Sequence, residues 1–81
     1  MKIHVQFFSR LKDATNCAEL DLELVSGSSL ADLLCALFAK FPGLAKWDAQ
    51  LLFAIGLEFA ARDQLLSDGD EVSIMPPVQG G

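Results

Sequence analysis

The sequence has 81 residues, of which eleven are acidic and six basic, so that its formal charge is −5. A chain of this length forms one small domain that buries only roughly 60% of its unfolded surface, which excludes a large internal active site. Scarce Lys and Arg argue against binding to nucleic acid, and a hydrophobic fraction of 52% argues against disorder. So small a domain cannot bury all of this apolar surface, and we expect part of it to be exposed as a partner site.

The first two predicted elements are strands. Residues 2–8 and 18–25 both alternate between polar and apolar side chains, a pattern that indicates half-buried strands. Their predicted inward residues are Ile3, Val5 and Phe7 in the first strand and Ala18, Leu20, Leu22 and Leu24 in the second. The polar segment 9–17 between them predicts a loop or a short helical turn, so the two strands should pair antiparallel.

A helix is predicted to begin after Ser29. This serine is a favourable N-cap, and Asp32, three residues later, completes a capping box. Apolar residues then recur at helical spacing and predict one buried face, formed by Leu30, Leu33, Leu34, Leu37, Phe38 and Phe41. Pro42 and Gly43 should end the helix, and residues 44–50 are predicted to be a connector.

The second half of the chain predicts the remaining strands. Residues 51–55 form a continuous apolar run, and a short strand follows a turn at 59–61. The segment 67–70 predicts a tight turn in which Gly69 takes a positive φ. Residues 71–75 alternate again and form the last predicted strand.

This order of elements predicts the α+β class and the β-grasp arrangement, a mixed sheet of four to five strands with one main helix packed across it. The first and last strands should lie side by side and parallel, with the helix in the crossover between them. We expect a β-grasp domain over residues 1–75 and a flexible C-terminal tail over 76–81. No apolar run has the length of a membrane helix, so contact with a membrane is not expected.

The usual catalytic constellations are missing. His4, the only histidine, is expected to be a solvated strand residue, and one histidine with two separated cysteines predicts no metal site. We interpret Cys35 as a small core thiol on the apolar side or edge of the helix, whereas Cys17 belongs to a loop and has no neighbouring base. Two cysteines without CxxC spacing favour a reducing cytoplasm over a disulfide framework.

The end of the sequence is its most informative segment. Pro76 and Pro77 should stiffen the exit from the sheet, because proline fixes φ. Gly80 and Gly81 lack a Cβ and can thread a narrow channel. A free Gly81 carboxylate would be a handle for another enzyme, which must first attach a leaving group because a carboxylate is a poor electrophile. The alternative is a frayed terminus that happens to contain two glycines.

Three large apolar residues are predicted to face outward and form a partner surface: Phe8, Phe59 and Met75. Aromatic residues and methionine are enriched in interface cores. The alternative is that loops cover one or more of them. Arg10 and Lys12 are predicted to add polar contacts at the rim, and the net acidity should steer the chain toward basic partner surfaces.

Both ends of the sequence resemble the small, sulfur-carrying subunit of molybdopterin synthase. The matching segments are residues 5–12 and residues 66–81, and the second segment contains Asp68-Gly69-Asp70-Glu71-Val72 and Pro76-Pro77-Val78-Gln79-Gly80-Gly81. A terminal pair of glycines by itself is shared with ubiquitin and other β-grasp carriers. The resemblance implies a ubiquitin-like fold and places the family's hydrophobic partner surface at the three outward residues named above.

The resemblance also implies a carrier function without an independent catalytic site or a bound cofactor. An E1-like adenylating enzyme would activate Gly81 with ATP and Mg²⁺, and a persulfide sulfur donor would replace AMP to leave a thiocarboxylate. The tail would enter the large catalytic subunit, where Gly80 gives clearance and Val78 and Gln79 contact the channel wall. There it would donate sulfur to cyclic pyranopterin monophosphate and form the molybdopterin dithiolene. The expected location is the cytoplasm, and the sequence leaves open whether the chain is isolated alone or as a heterotetramer with two large subunits.

Two other functions remain open from the sequence. The chain could carry sulfur for thiazole synthesis or for tRNA thiolation, although thiazole carriers tend to be shorter. It could also be a β-grasp interaction module that undergoes no covalent chemistry.

Overall fold

The computed structural model describes residues 1–77, which form a five-stranded mixed sheet with helices packed on one face. The main elements are, in chain order, β1 (Lys2–Phe7), α1 (Leu11–Thr15), β2 (Glu19–Glu23), α2 (Leu30–Lys40), α3 (Pro42–Ala45), β3 (Leu52–Ile55), β4 (Glu58–Phe59) and β5 (Glu71–Met75). A 3₁₀ turn at Asp48–Gln50 leads into β3.

The strands lie in the order β2-β1-β5-β3-β4. The first and last strands, β1 and β5, pair in parallel at the centre, and the other neighbouring pairs are antiparallel. This topology, with α2 in the crossover, confirms the predicted β-grasp arrangement. The register opposes Phe7 to Ile74, so the C-terminal ends of the two central strands lie at the same edge of the sheet.

The core lies between α2 and the inward face of the sheet. Strand alternation and helical spacing predicted these inward positions correctly, and the fully buried residues of the strands and of α2 are Ile3, Val5, Leu30, Leu33, Leu34, Leu37, Val72 and Ile74. Each such aliphatic side chain stabilises the fold by about 1.5–3 kcal/mol relative to its exposed state. In β2, which forms one edge of the sheet, Leu20 and Leu22 are half-buried and pack against this core.

The predicted capping box of α2 is present. The Ser29 hydroxyl accepts from the Asp32 amide at 3.3 Å, and the Asp32 carboxylate accepts from the Ser29 amide at 2.9 Å. The helix ends at Lys40, as Pro42 predicted. The prediction of a plain connector after it was wrong, since Pro42 begins the short helix α3; the fixed φ of proline suits the first helical position.

Two further predictions were wrong in detail. The second strand extends only over Glu19–Glu23, because its pairing with β1 ends at Glu23 opposite Lys2, and Ala18 is exposed. Cys35 is also exposed. It shares the solvent side of α2 with Ala31 and Ala39, four residues before and after it, so it is not a core thiol.

Candidate functional site

The outward face of the sheet carries an apolar surface near the C-terminal ends of β1 and β5. We call it the docking face and define it as Phe8, Leu52, Ala54, Phe59 and Met75. Met75 lies directly opposite Leu52, and Ala54 lies opposite Phe59. Phe8, Leu52 and Phe59 are 44%, 37% and 78% exposed, and their grouping on one face marks a candidate interaction surface.

The position of Phe8 on this face is fixed by its backbone. Its amide donates to the Ile74 carbonyl at 3.1 Å, which extends the β1–β5 pairing by one residue. Ser9 then adopts a left-handed conformation with φ of 56°, and the Leu11 amide returns to the Phe8 carbonyl. The chain therefore turns away immediately after Phe8, which leaves this phenyl ring beside the end of β5.

The C-terminal segment leaves the sheet from the docking face. Met75 is both the last residue of β5 and a member of that face, and the half-buried Pro76 and Pro77 follow it. The predicted tail residues lie outside the described residues: Val78, Gln79, Gly80 and Gly81. Within the described chain, the predicted partner surface and the start of the predicted tail are thus adjacent.

The acidic turn before β5 sets where that strand begins. Gly69 has φ of 87°, as predicted. The Asp68 carboxylate accepts from the Lys2 amide at 2.7 Å, and the Asp70 carboxylate accepts from the Ser67 amide at 2.8 Å. The Asp70 bond closes the turn itself, whereas the Asp68 bond and the backbone bonds from the Gly69 amide to the Lys2 carbonyl and from the His4 amide to the Asp70 carbonyl join the turn to β1. They fix the register of the two central strands and, through it, the edge at which Met75 ends.

Leu52 is a member of the docking face that the sequence did not predict. It belongs to the continuous apolar run 51–55, in which alternation is invisible because every residue is apolar. Phe53 is buried on the inward face, and Leu52 therefore points outward. The signal that could have identified it was the assignment of Phe53 to the core.

The two predicted rim residues have different surroundings. The Arg10 guanidinium carbon lies 5.5 Å from the centroid of the half-buried Trp47 ring. Lys12 lines a shallow groove of about 240 Å³ together with Phe8 and Glu19. Within residues 1–77, neither Arg10 nor Lys12 forms an ion pair with a carboxylate. Sequence analysis placed Trp47 only in a connector, because nothing local indicates what a single tryptophan contacts.

His4 lies at the other end of the outward face and is not a freely solvated residue. Its Nδ1 is 2.7 Å from an Asp21 carboxylate oxygen, and its Nε2 is 3.5 Å from Glu19. The hydrogen bond with Asp21 raises the pKa of His4 above its usual value; desolvation opposes it, and the charges of Asp21, Glu19 and Glu71 add to the rise. The alternation indicated the face of His4 but not the register that opposes it to Asp21.

The remaining candidates do not form a reactive centre. Across residues 1–77 no three His, Cys, Asp or Glu side chains are grouped so that they could hold a metal ion. Cys17 is half-buried against the core, and both cysteines are free thiols. In this part of the chain no helix is long and apolar enough to cross a membrane.

Comparisons with known proteins identify the family and the fold of this chain. The ThiS family model matches residues 5–81. The molybdopterin synthase sulfur carrier subunit of Chlamydomonas reinhardtii is 34% identical, with all of both chains covered. Subunit 1 in the complex of subunits 1 and 2 of the molybdopterin-converting factor from Helicobacter pylori is 27% identical, with complete coverage of both chains and a TM-score of 0.72.

A third comparison concerns the fold alone. Small archaeal modifier protein 1 of Haloferax volcanii has a TM-score of 0.86 at 21% identity, over 95% of this chain and 98% of that one.

Proposed function

This chain belongs to the ThiS family, and we infer from its most similar relatives that it is the sulfur carrier subunit of a molybdopterin synthase. The relative from Chlamydomonas reinhardtii that bears this name matches it from end to end. The Helicobacter pylori complex supports a large subunit as the partner of this chain, because subunit 1 of that complex has the same fold and 27% identity.

The single observation that carries this proposal is the position of the docking face beside the exit of the C-terminal segment. A partner that covers Phe8, Leu52 and Met75 would also receive the chain from Pro76 onward. The six residues from Pro76 to Gly81 span at most about 20 Å when extended. The body of the protein would therefore supply binding energy, while the tail delivers its terminal group to a catalytic centre in the partner.

The chemistry proposed for the tail begins with activation. An E1-like enzyme would transfer AMP from ATP, with Mg²⁺, to the Gly81 carboxylate and release pyrophosphate. A persulfide of the sulfur donor would then attack the acyl adenylate and displace AMP. A thiol of the donor would next reduce the resulting acyl disulfide, which leaves a thiocarboxylate on Gly81 and a disulfide on the donor. Because this activation requires ATP, we propose that it takes place in the cytoplasm.

Sulfur transfer would follow in the large subunit. The thiocarboxylate sulfur would form a bond to carbon of cyclic pyranopterin monophosphate, and water would then cleave the acyl–sulfur bond and regenerate the Gly81 carboxylate. A dithiolene contains two sulfur atoms, so two loaded carriers would be consumed for each molybdopterin. Gly80 would leave room in the channel, and Val78 and Gln79 would contact its wall.

Mass spectrometry tests the carrier chemistry directly. The chain is incubated with ATP, the activating enzyme and a sulfide source, and the mass of its C-terminal peptide is measured. We expect an increase equal to the replacement of one oxygen by sulfur. An unchanged mass would favour an interaction module without covalent chemistry. A sample without ATP is the matched control.

A second experiment tests the position of the reacting group. Deletion of Gly81, or addition of one alanine after it, should abolish molybdopterin formation and leave thermal unfolding unchanged, because residues 1–77 contain the whole described core. Activity of the extended chain without processing would contradict the proposal. Co-purification with a thiazole synthase in place of the large subunit would favour the alternative pathway.

A further inference from the structure

We propose that the partner surface continues past the docking face onto Arg10 and Trp47, and that the large subunit meets this extension with acidic side chains. This inference rests on the proposed function and specifies the partner chemistry at the edge of the same interface. It differs from the expectation from net charge alone, under which an acidic chain would meet basic surfaces throughout.

Arg10 is continuous with the docking face along the chain. Arg10 follows the docking-face residue Phe8 by two positions, and the left-handed Ser9 between them turns the chain toward Trp47. Leu11, the next residue, is fully buried and anchors this turn to the core. The segment that positions Phe8 therefore also positions Arg10, and a partner that covers one reaches the other.

The Arg10 side chain is ordered and has free hydrogen-bond donors. Arg10 is exposed, and its guanidinium is held over the Trp47 ring instead of extending into solvent. Stacking on an aromatic face orders this side chain while leaving its N–H donors free for a carboxylate. Among the described residues no carboxylate uses these donors. Arginine and tryptophan are both enriched among the residues that dominate binding energy at interfaces.

Charge is unevenly distributed over the molecule. Four of the six basic residues lie at the end of the molecule from which β5 exits: Arg10, Lys12, Lys40 and Lys46. Asp13, Glu19 and Asp48 lie at this end too; Glu19 is 3.5 Å from His4 Nε2, and Asp48 is engaged by Arg62. The acidic turn that contains Asp68 and Asp70 lies at the opposite end, beside the start of β1.

The distance between the two ends of the molecule determines which charges act on a partner bound at the docking face. The six residues of β1 separate the two ends by about 20 Å, at roughly 3.3 Å per residue. Charges are screened over about 8 Å at physiological ionic strength. A partner at the docking face therefore interacts mainly with the charges at this end, where basic residues outnumber acidic ones, and the negative net charge of the whole chain acts weakly there.

Charge reversal at the two ends of the molecule tests this inference. Arg10→Glu and Lys2→Glu change the net charge equally, but Lys2 is exposed at the start of β1, far from the docking face. Binding of the full chain to the purified large subunit is measured by calorimetry. We expect Arg10→Glu to weaken binding about 10-fold or more, and Lys2→Glu to change it by no more than about 2-fold.

A second readout follows Trp47, the only tryptophan in the chain. The chain is labelled with 5-fluorotryptophan, and its fluorine resonance is recorded with and without the unlabelled large subunit. A shift of the resonance on binding is expected.

Arg10→Lys keeps the charge but loses the planar donor group. We expect its affinity for the large subunit to fall by about 3-fold, between those of the wild type and Arg10→Glu.

The outcomes separate this inference from the proposed function. Equal affinities of the two charge-reversal variants, tighter binding of Arg10→Glu, or an unchanged Trp47 resonance would overturn the inference alone, provided that the wild-type chain binds the large subunit and transfers sulfur. If the wild-type chain does not bind the large subunit, the proposed function fails and this inference fails with it.

Discussion

The two faces of the sheet are built from the same strands and the same alternation, yet they differ in what covers them. On the inward face, Val5, Val72 and Ile74 are completely buried under α2. On the outward face, Phe8 and Phe59 retain about half or more of their exposure. Core packing explains the first set and cannot explain the second. The comparison teaches that burial in the core accounts for the inward set, whereas the outward set is accounted for by the partner surface that we propose.

The largest effect on stability is expected from the inward side. Leu33→Ala removes a fully buried side chain of α2 and should lower the free energy of unfolding by about 2–5 kcal/mol, because it leaves a cavity. Urea denaturation measures this change. Leu57→Ala is the matched control, since Leu57 is fully exposed and its truncation should change stability by less than about 0.5 kcal/mol. Similar losses in both variants would contradict the assigned core.

The outward side should respond in binding and not in folding. Phe8→Ala and Leu52→Ala should each weaken binding to the large subunit about 10-fold or more, because they remove apolar surface from the centre of the docking face. Calorimetry measures the affinity, and urea denaturation should show a loss smaller than that of Leu33→Ala. Leu57→Ala should bind like the wild type. If affinity is retained in both variants, the docking face is not the partner surface.

A smaller effect is expected at the start of the helix that covers the inward face. Ser29→Ala removes the hydroxyl that accepts from the Asp32 amide and should cost about 1 kcal/mol of stability. Thermal unfolding measures this loss, and affinity for the large subunit should not change. Ser29→Asp should restore most of the stability, because aspartate is also a good N-cap. A loss of affinity without loss of stability would contradict the separation of the two faces.

The smallest effect concerns His4, on the outward face. The pKa of His4 is raised in the folded state, mainly by its hydrogen bond with Asp21 and also by the charges of Asp21, Glu19 and Glu71. Its contribution to stability is therefore complete below the ordinary value of 6.5 and is lost as pH rises through the folded-state pKa. Lys2 and Gln6 are the neighbours on the same side of β1.

Urea denaturation of the wild type and of His4→Gln, from below pH 6.5 to alkaline pH, measures the contribution of protonated His4 to stability. The stability difference between the two proteins should be larger on the acid side and should diminish toward alkaline pH. A difference that grows with pH would contradict the assigned ionic contacts. Asp21→Asn is the matched variant, because it removes the charge of the hydrogen-bonded partner and should reduce the pH dependence.

Local patterns in the sequence determined much of this fold. Alternation gave the inward residues of β1 and β5, and the Ser29–Asp32 capping box gave the start of α2, because each depends on residues close in the chain. The turn glycine at position 69 was predicted for the same reason. The run 51–55 concealed the outward position of Leu52, since a sequence without polar residues has no visible alternation.

The sequence by itself determined which side chains of β1 and β5 face the core and which segment resembles a carrier tail, because strand alternation and motifs are local properties. Only the tertiary structure decided the strand register that places Met75 opposite Leu52 and His4 opposite Asp21, and the packing of connecting segments that places Arg10 over Trp47. These contacts join residues from 17 to 37 positions apart, at separations where the pairing of strands and the packing of segments, and not the pattern within any one element, determine which side chains meet.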